Sequence, residues 1–239
     1  MPVFNGGRSF FKGAPAACLI LFLAACAGGQ PSVPESAASP TAASTTAASV
    51  PVPSASEGAP PSSAASATKP TLGKEAQMET DRQLIRAAKA NDPVQVRKLI
   101  AAGGDVNAKD DIQDSAFLYA GAEGFNEVLK LTIEAGADVK ATNRYGGTAL
   151  IPASEHGHVE TIKILIAAGV PVDHVNKLGW TAMQEAILLN NGGPRQQEAV
   201  RLLLEAGASP DIRDPQGRTA LQNAERLGFA EIAALIRNR

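Results

Sequence analysis

Two cysteines, one tryptophan, two tyrosines and three histidines are all that this 239-residue chain has of the side chains that most often hold metals or anchor interfaces. So few cysteines exclude a disulfide-dense scaffold and a four-cysteine zinc site. An excess of charge of one sign is also missing. The 22 Lys and Arg face 24 Asp and Glu, a net charge of −2, which lacks the basic footprint of a nucleic-acid binder. The apolar run Ala14–Ala25 falls short of the roughly 20 residues that a bilayer core requires. Residues for chemistry are equally sparse. His156 and His158 stand two apart, which puts them on different faces of a helix, and no cysteine lies near them to complete a zinc site. Gly103-Gly104 and Gly192-Gly193 lack the lysine and the strand–helix setting of a phosphate loop. Serine is concentrated in one biased segment, where nothing holds a base beside it. No catalytic residue, cofactor or metal is expected, and the chain reads as a non-enzyme.

What is present is segmented. Residues 1–25 carry Arg8 and Lys12 without an acid, then the short apolar run and small residues at its end, the pattern of an export signal. The run closes on Leu23-Ala24-Ala25-Cys26, which resembles the lipobox of bacterial lipoproteins. That resemblance implies cleavage before Cys26, lipidation of its sulfur and acylation of its amine. Several acyl chains give the strength that stable anchoring requires. Ala27 follows, not the Asp that retains such proteins at the inner membrane, so the implied location is the periplasmic face of the outer membrane. Residues 27–73 form a spacer in which 39 of 47 positions are Ala, Ser, Thr, Pro or Gly. Such a composition cannot bury enough apolar surface to offset ordering, so 26–73 is expected to be a disordered linker. As a coil it would extend roughly 40 Å.

The remainder repeats. Ala-Gly pairs end at Gly103, Gly136, Gly169 and Gly207, with spacings of 33, 33 and 38. Ser115, Thr148, Thr181 and Thr219 keep the same rhythm. Between these landmarks, apolar residues recur at helical spacing, as in Ile162, Leu165 and Ile166. A glycine in the left-handed conformation is expected to end each such helix. A fixed period of this length points to a solenoid. Five units are expected, 79–110, 111–143, 144–176, 177–214 and 215–239. The first opens on Thr80-Asp81-Arg82-Gln83, read as a capping box. Pro152, one turn into a helix, is expected to kink it. Five extra residues in 190–195 lengthen the loop of the fourth unit.

Gly147-Thr148-Ala149-Leu150, Gly157-His158, Gly136-Ala137-Asp138-Val139 and Gly217-Arg218-Thr219-Ala220-Leu221 together resemble the ankyrin repeat. The resemblance covers 79–239 and implies an all-α ankyrin-repeat solenoid of helix–turn–helix units with β-turn fingers, reached through the disordered linker. The histidine of the family's Thr-Pro-Leu-His is missing throughout. Its bonds between loops must be replaced or lost. The resemblance also implies protein binding through a concave surface of finger tips and first helices. Residue by residue it assigns Asp111, Ile112 and Asp114; Arg144, Tyr145 and Gly147; Lys177, Leu178 and Trp180; and Pro215, Gln216 and Arg218 to exposed finger positions. It puts Ala122, Glu155, Leu188 and Arg226 on the groove side of the helices. Tyr145 and Trp180 lead the candidates, because aromatic and arginine side chains dominate interfaces. Trp180 alternatively lies over the next finger. Arg144, Lys177 and Arg218 are expected to favour an acidic partner surface. The expected protein is thus a membrane-anchored periplasmic interaction module with an unidentified protein partner. The alternatives are an immunity protein against a periplasmic effector, or an accessory to catalase in oxidative-stress defence.

Overall fold

The computed structural model describes residues 72–239. The expected leader, the Cys26 anchor and nearly all of the spacer lie outside the described residues. Ten helices follow in five pairs: α1 (Lys74–Lys89) with α2 (Pro93–Ala101), α3 (Ala116–Glu123) with α4 (Asn126–Glu134), α5 (Leu150–Glu155) with α6 (Val159–Ala167), α7 (Ala182–Leu188) with α8 (Pro194–Glu205), and α9 (Ala220–Leu227) with α10 (Ala230–Arg237). The described residues contain no strand, and the fold is an all-helical stack of helix pairs. First helices pack on first helices and second on second from pair to pair. No pair could bury its apolar face alone; stacking makes the core continuous.

That core follows the period. Ala120, Ala153, Ala186 and Ala224 are fully buried in successive first helices, where a small side chain lets neighbouring helices approach. Leu129, Ile162 and Val200 fill the matching layer of second helices without exposure, and Ala233, 2% exposed, takes the equivalent place in the last. At α3 the approach leaves no room for a side chain, since a Cβ on Gly121 would lie 2.7 Å from Ala149 Cβ. The second helices end as their Ala-Gly pairs predict. Gly103, Gly136, Gly169 and Gly207 all take positive φ, between 82° and 99°. After α6 the Gly169 N–H donates to Ile166 O and the Val170 N–H to Leu165 O. These two bonds satisfy carbonyls the helix leaves open.

Two sequence expectations need correction. Thr80 does not open a helix. α1 starts at Lys74 behind Gly73, and the Thr80 hydroxyl donates to Ala76 O within the helix. The motif's residues are present, but six good helix formers, Lys74–Glu79, precede it and carry the helix through. Pro152 does not kink a helix interior, because α5 begins only at Leu150 and Pro152 sits in its first turn, where a missing N–H costs little. Its effect falls on the cap. Ser115, Thr181 and Thr219 each accept a backbone N–H from three residues on, whereas Thr148 accepts none and its buried hydroxyl has no partner. The proline ring crowds the carbonyl four residues back, which is that of Thr148, and disfavours helical geometry at Ile151. Ile151 N–H accordingly bonds the Thr148 carbonyl instead of its hydroxyl.

Candidate functional site

Each finger is closed by one Asp or Asn. Asp110, Asn143, Asn176 and Asp214 accept, through Oδ1, the N–H groups two and four residues ahead. Backbone bonds across the same turns complete them, as from Asn176 N to Trp180 O at 3.0 Å. The turn also needs a left-handed residue three places on. Glycine supplies it at 146, 179 and 217, and Gln113 (φ 65°) in the first finger. Fingers are tied to one another. Lys177 N–H donates to Tyr145 O at 2.9 Å, and His174 Nε2 lies 2.6 Å from Gly146 O.

The missing family histidine is replaced at one end and lost at the other. Gln184 Nε2 donates to Ile212 O, and its carbonyl accepts from Asn223 Nδ2, which also reaches Asp214. The equivalent Leu118 and Ile151 are apolar and buried, so the earlier fingers rely on backbone and surface bonds.

Between the first, second and third fingers and the helices α3, α5 and α7 lies a concavity of about 360 Å³. Ile112, Arg144, Tyr145, Glu155, Leu178 and Trp180 line it, together with Ala122. Four of the seven large apolar side chains exposed among the described residues converge here: Ile112 (48%), Tyr145 (51%), Leu178 (51%) and Leu189 (46%). Leu189 takes the wall position expected of Leu188, which is half-buried. The other candidates lie elsewhere. Asp111 borders a separate concavity against α1. Lys177 spreads over Gly146 and donates to Arg144 O. Arg218 binds Asp214 and Gln216, at 3.2 Å and 3.0 Å.

The expected basic surface is therefore not free. Arg144 pairs with Asp114 at 3.3 Å, and its guanidinium lies 4.7 Å from the centre of the Tyr145 ring. The concavity itself carries Asp114, Glu123, Glu155 and Glu185 against Arg144 alone. Glu185, 6% exposed on α7, accepts from Asn176 Nδ2 at 2.7 Å. Burial, and then the nearby Glu155 carboxylate, push its carboxyl up to about 7, against the pull of the Asn176 bond and His156. Trp180 is half-buried, and its indole N–H is buried without an acceptor.

The lengthened loop supports this wall. Asn190 Nδ2 donates to Glu155 O at 2.7 Å, and Gln196 Nε2 reaches the same carbonyl and Asn190 Oδ1. Gly192 (φ 68°) packs so closely on Phe229 that a Cβ would meet the ring at 2.5 Å. The insertion thus clasps the units before and after its own. Sequence reasoning missed Glu185, Asn176 and Leu189. The four Asx positions did have a signal, since 110, 143, 176 and 214 share the 33, 33, 38 rhythm. Among the described residues no three His, Cys, Asp or Glu side chains gather as a metal site.

Comparison with known proteins agrees with this geometry. The family model for ankyrin repeats (three copies) matches residues 84–173 and 117–214. The crystal structure of an ankyrin repeat domain from Acinetobacter baumannii AYE is 57% identical. The match covers 65% of this chain and 79% of that one, with a TM-score of 0.64. The crystal structure of the ankyrin repeat protein EF0377 is 40% identical over 64% of this chain and 78% of that one, with a TM-score of 0.62. An Escherichia coli (strain K12) protein named as the ankyrin repeat protein YahD is 56% identical over 52 residues, so this chain spans only 26% of its length.

Proposed function

The chain belongs to the ankyrin-repeat family, and from that membership we propose that it is a protein-recognition module whose partner seats in the concavity of Tyr145, Leu178 and Trp180. Ankyrin repeats imply protein–protein interaction, and proteins built of them are generally non-enzymatic. The observation that carries the assignment is the gathering of Ile112, Tyr145, Leu178 and Leu189 on one concave face. Exposed apolar side chains scattered singly are ordinary, whereas a cluster rimmed by charge marks a contact surface. We also place the module at the periplasmic face of the envelope, at the outer membrane, held by lipid on Cys26. Support for this comes from the sequence of residues 1–27 alone.

In-cell crosslinking from position 145 or 180 tests the recognition surface. Capture of one protein is expected, lost when the ring not carrying the crosslinker is replaced in the variant (Trp180→Ala for a probe at 145, Tyr145→Ala for a probe at 180). An unchanged captured set in that variant removes the groove assignment. The captured protein's nature separates an envelope component from a periplasmic effector or a catalase. Cys26→Ala is expected to abolish lipid labelling, and labelling that persists removes the anchor.

A further inference from the structure

The concavity is polarised in a way that the apolar rim does not explain. Four carboxylate side chains line it, and its one cation, Arg144, is already taken up by Asp114 and the Tyr145 ring. No Lys, Arg or His forms an ion pair with Glu155 or Glu185 in the described residues. Yet Glu185 is buried and held by Asn176, and Glu155 lines the same concavity and raises its carboxyl's proton affinity, against a smaller opposing effect of His156. Two neighbouring carboxylates in a poorly solvated wall repel one another, and a cation between them relieves both. The same concavity is lined by the rings of Tyr145 and Trp180. A guanidinium is planar, weakly hydrated and stacks on such rings, as Arg144 already does on Tyr145 at 4.7 Å.

We propose that this concavity is an arginine pocket, taking the guanidinium of an extended partner segment between the Glu155 and Glu185 carboxylates and the rings of Tyr145 and Trp180. The inference rests on the recognition reading above and names the chemistry its partner must present. The sequence-level expectation of an acidic partner is thereby reversed. Arg144 and Arg218 are paired with acids of their own chain and Lys177 donates to a carbonyl, while Glu155 and Glu185 on the helices behind them have no cation. Asn190 and Gln196 hold the backbone carbonyl of Glu155, which fixes the position on the wall from which its carboxylate extends.

Trp180 is the only tryptophan, so its fluorescence in the full chain reports on the pocket directly. The probes are acetyl-Gly-Arg-Gly-amide and its citrulline and lysine counterparts. A saturable response to the arginine peptide is expected, weaker by about tenfold or more for citrulline, which lacks the charge and its assisted hydrogen bonds. Glu185→Gln is expected to weaken the arginine peptide by a similar factor and leave citrulline unaffected. No saturable response, an equal response to citrulline, equal binding of lysine, or an unaltered Glu185→Gln titration overturns the pocket. Capture of a partner from position 145 together with any of those results leaves the recognition reading standing and removes this inference alone.

Discussion

At the scale of single residues, two positions carry free energy that their neighbours do not explain. Gln113 adopts φ 65° where the three later fingers place glycine, and a Cβ in the left-handed region costs about 1 kcal/mol or more. Gln113→Gly is expected to raise stability by about 1 kcal/mol, measured by urea denaturation, with the concave surface unaltered. The buried carboxyl of Glu185 matters more. It ordinarily titrates near 4.5 and is pushed up to about 7 by burial and Glu155, so the folded state keeps a proton that the unfolded chain has released. Stability from this group is fully present below about pH 4.5, falls as pH rises and is gone above about 7. The fall is on the order of 3 kcal/mol. Denaturation at pH 5 and pH 8 should show it in the wild type, and Glu185→Gln should remove most of it. A variant with the wild-type pH profile would place the titrating group elsewhere.

At the scale of elements, one slot in the repeat behaves differently from unit to unit, depending on the residues just after it in the chain. Thr181 and Thr148 are equivalent by spacing, but only Thr181 caps its helix, accepting the Gln184 N–H at 3.2 Å. Thr181→Val should therefore cost about 1 kcal/mol. Thr148→Val should be neutral or stabilising, because it removes a buried hydroxyl that has no partner. Thermal melts of the two variants test this, and equal losses would refute the role given to Pro152. Helix ends were legible in advance, since each Ala-Gly pair stops its helix with a positive φ at the glycine. The start of α1 was not. A capping motif is only a local preference, and the helix formers from Lys74 onward outweighed it. The lost finger histidines were visible as absences, but not their replacement: Gln184 and Asn223 are 39 residues apart and meet only when two units stack.

At the scale of the whole described domain, stability is shared between neighbours only. Leu129 in α4 and Ile232 in α10 are both fully buried, yet those helices belong to units that do not touch. Leu129→Ala and Ile232→Ala should each cost about 2–5 kcal/mol, and the double variant should lose their sum to within about 0.5 kcal/mol. A marked departure in equilibrium unfolding would indicate coupling beyond nearest neighbours. The residues themselves determined the architecture: a period of 33 repeated in glycine, hydroxyl and alanine positions allows little but stacked helix pairs, because each unit's apolar stripe must be covered by the next. The resemblance to the ankyrin repeat placed Ile112, Tyr145 and Leu178 on the fingers. Only the tertiary structure decided what the surface offers. Whether Arg144, Lys177 and Arg218 are free charges depends on acids and carbonyls brought to them by folding, at Asp114, Arg144 and Asp214. Glu185 looked like one helical acid among many until stacking buried it beside Glu155. Electrostatics acts through space, between groups 30 residues apart in sequence, and a periodic pattern records which face a side chain occupies but not which charge it meets there.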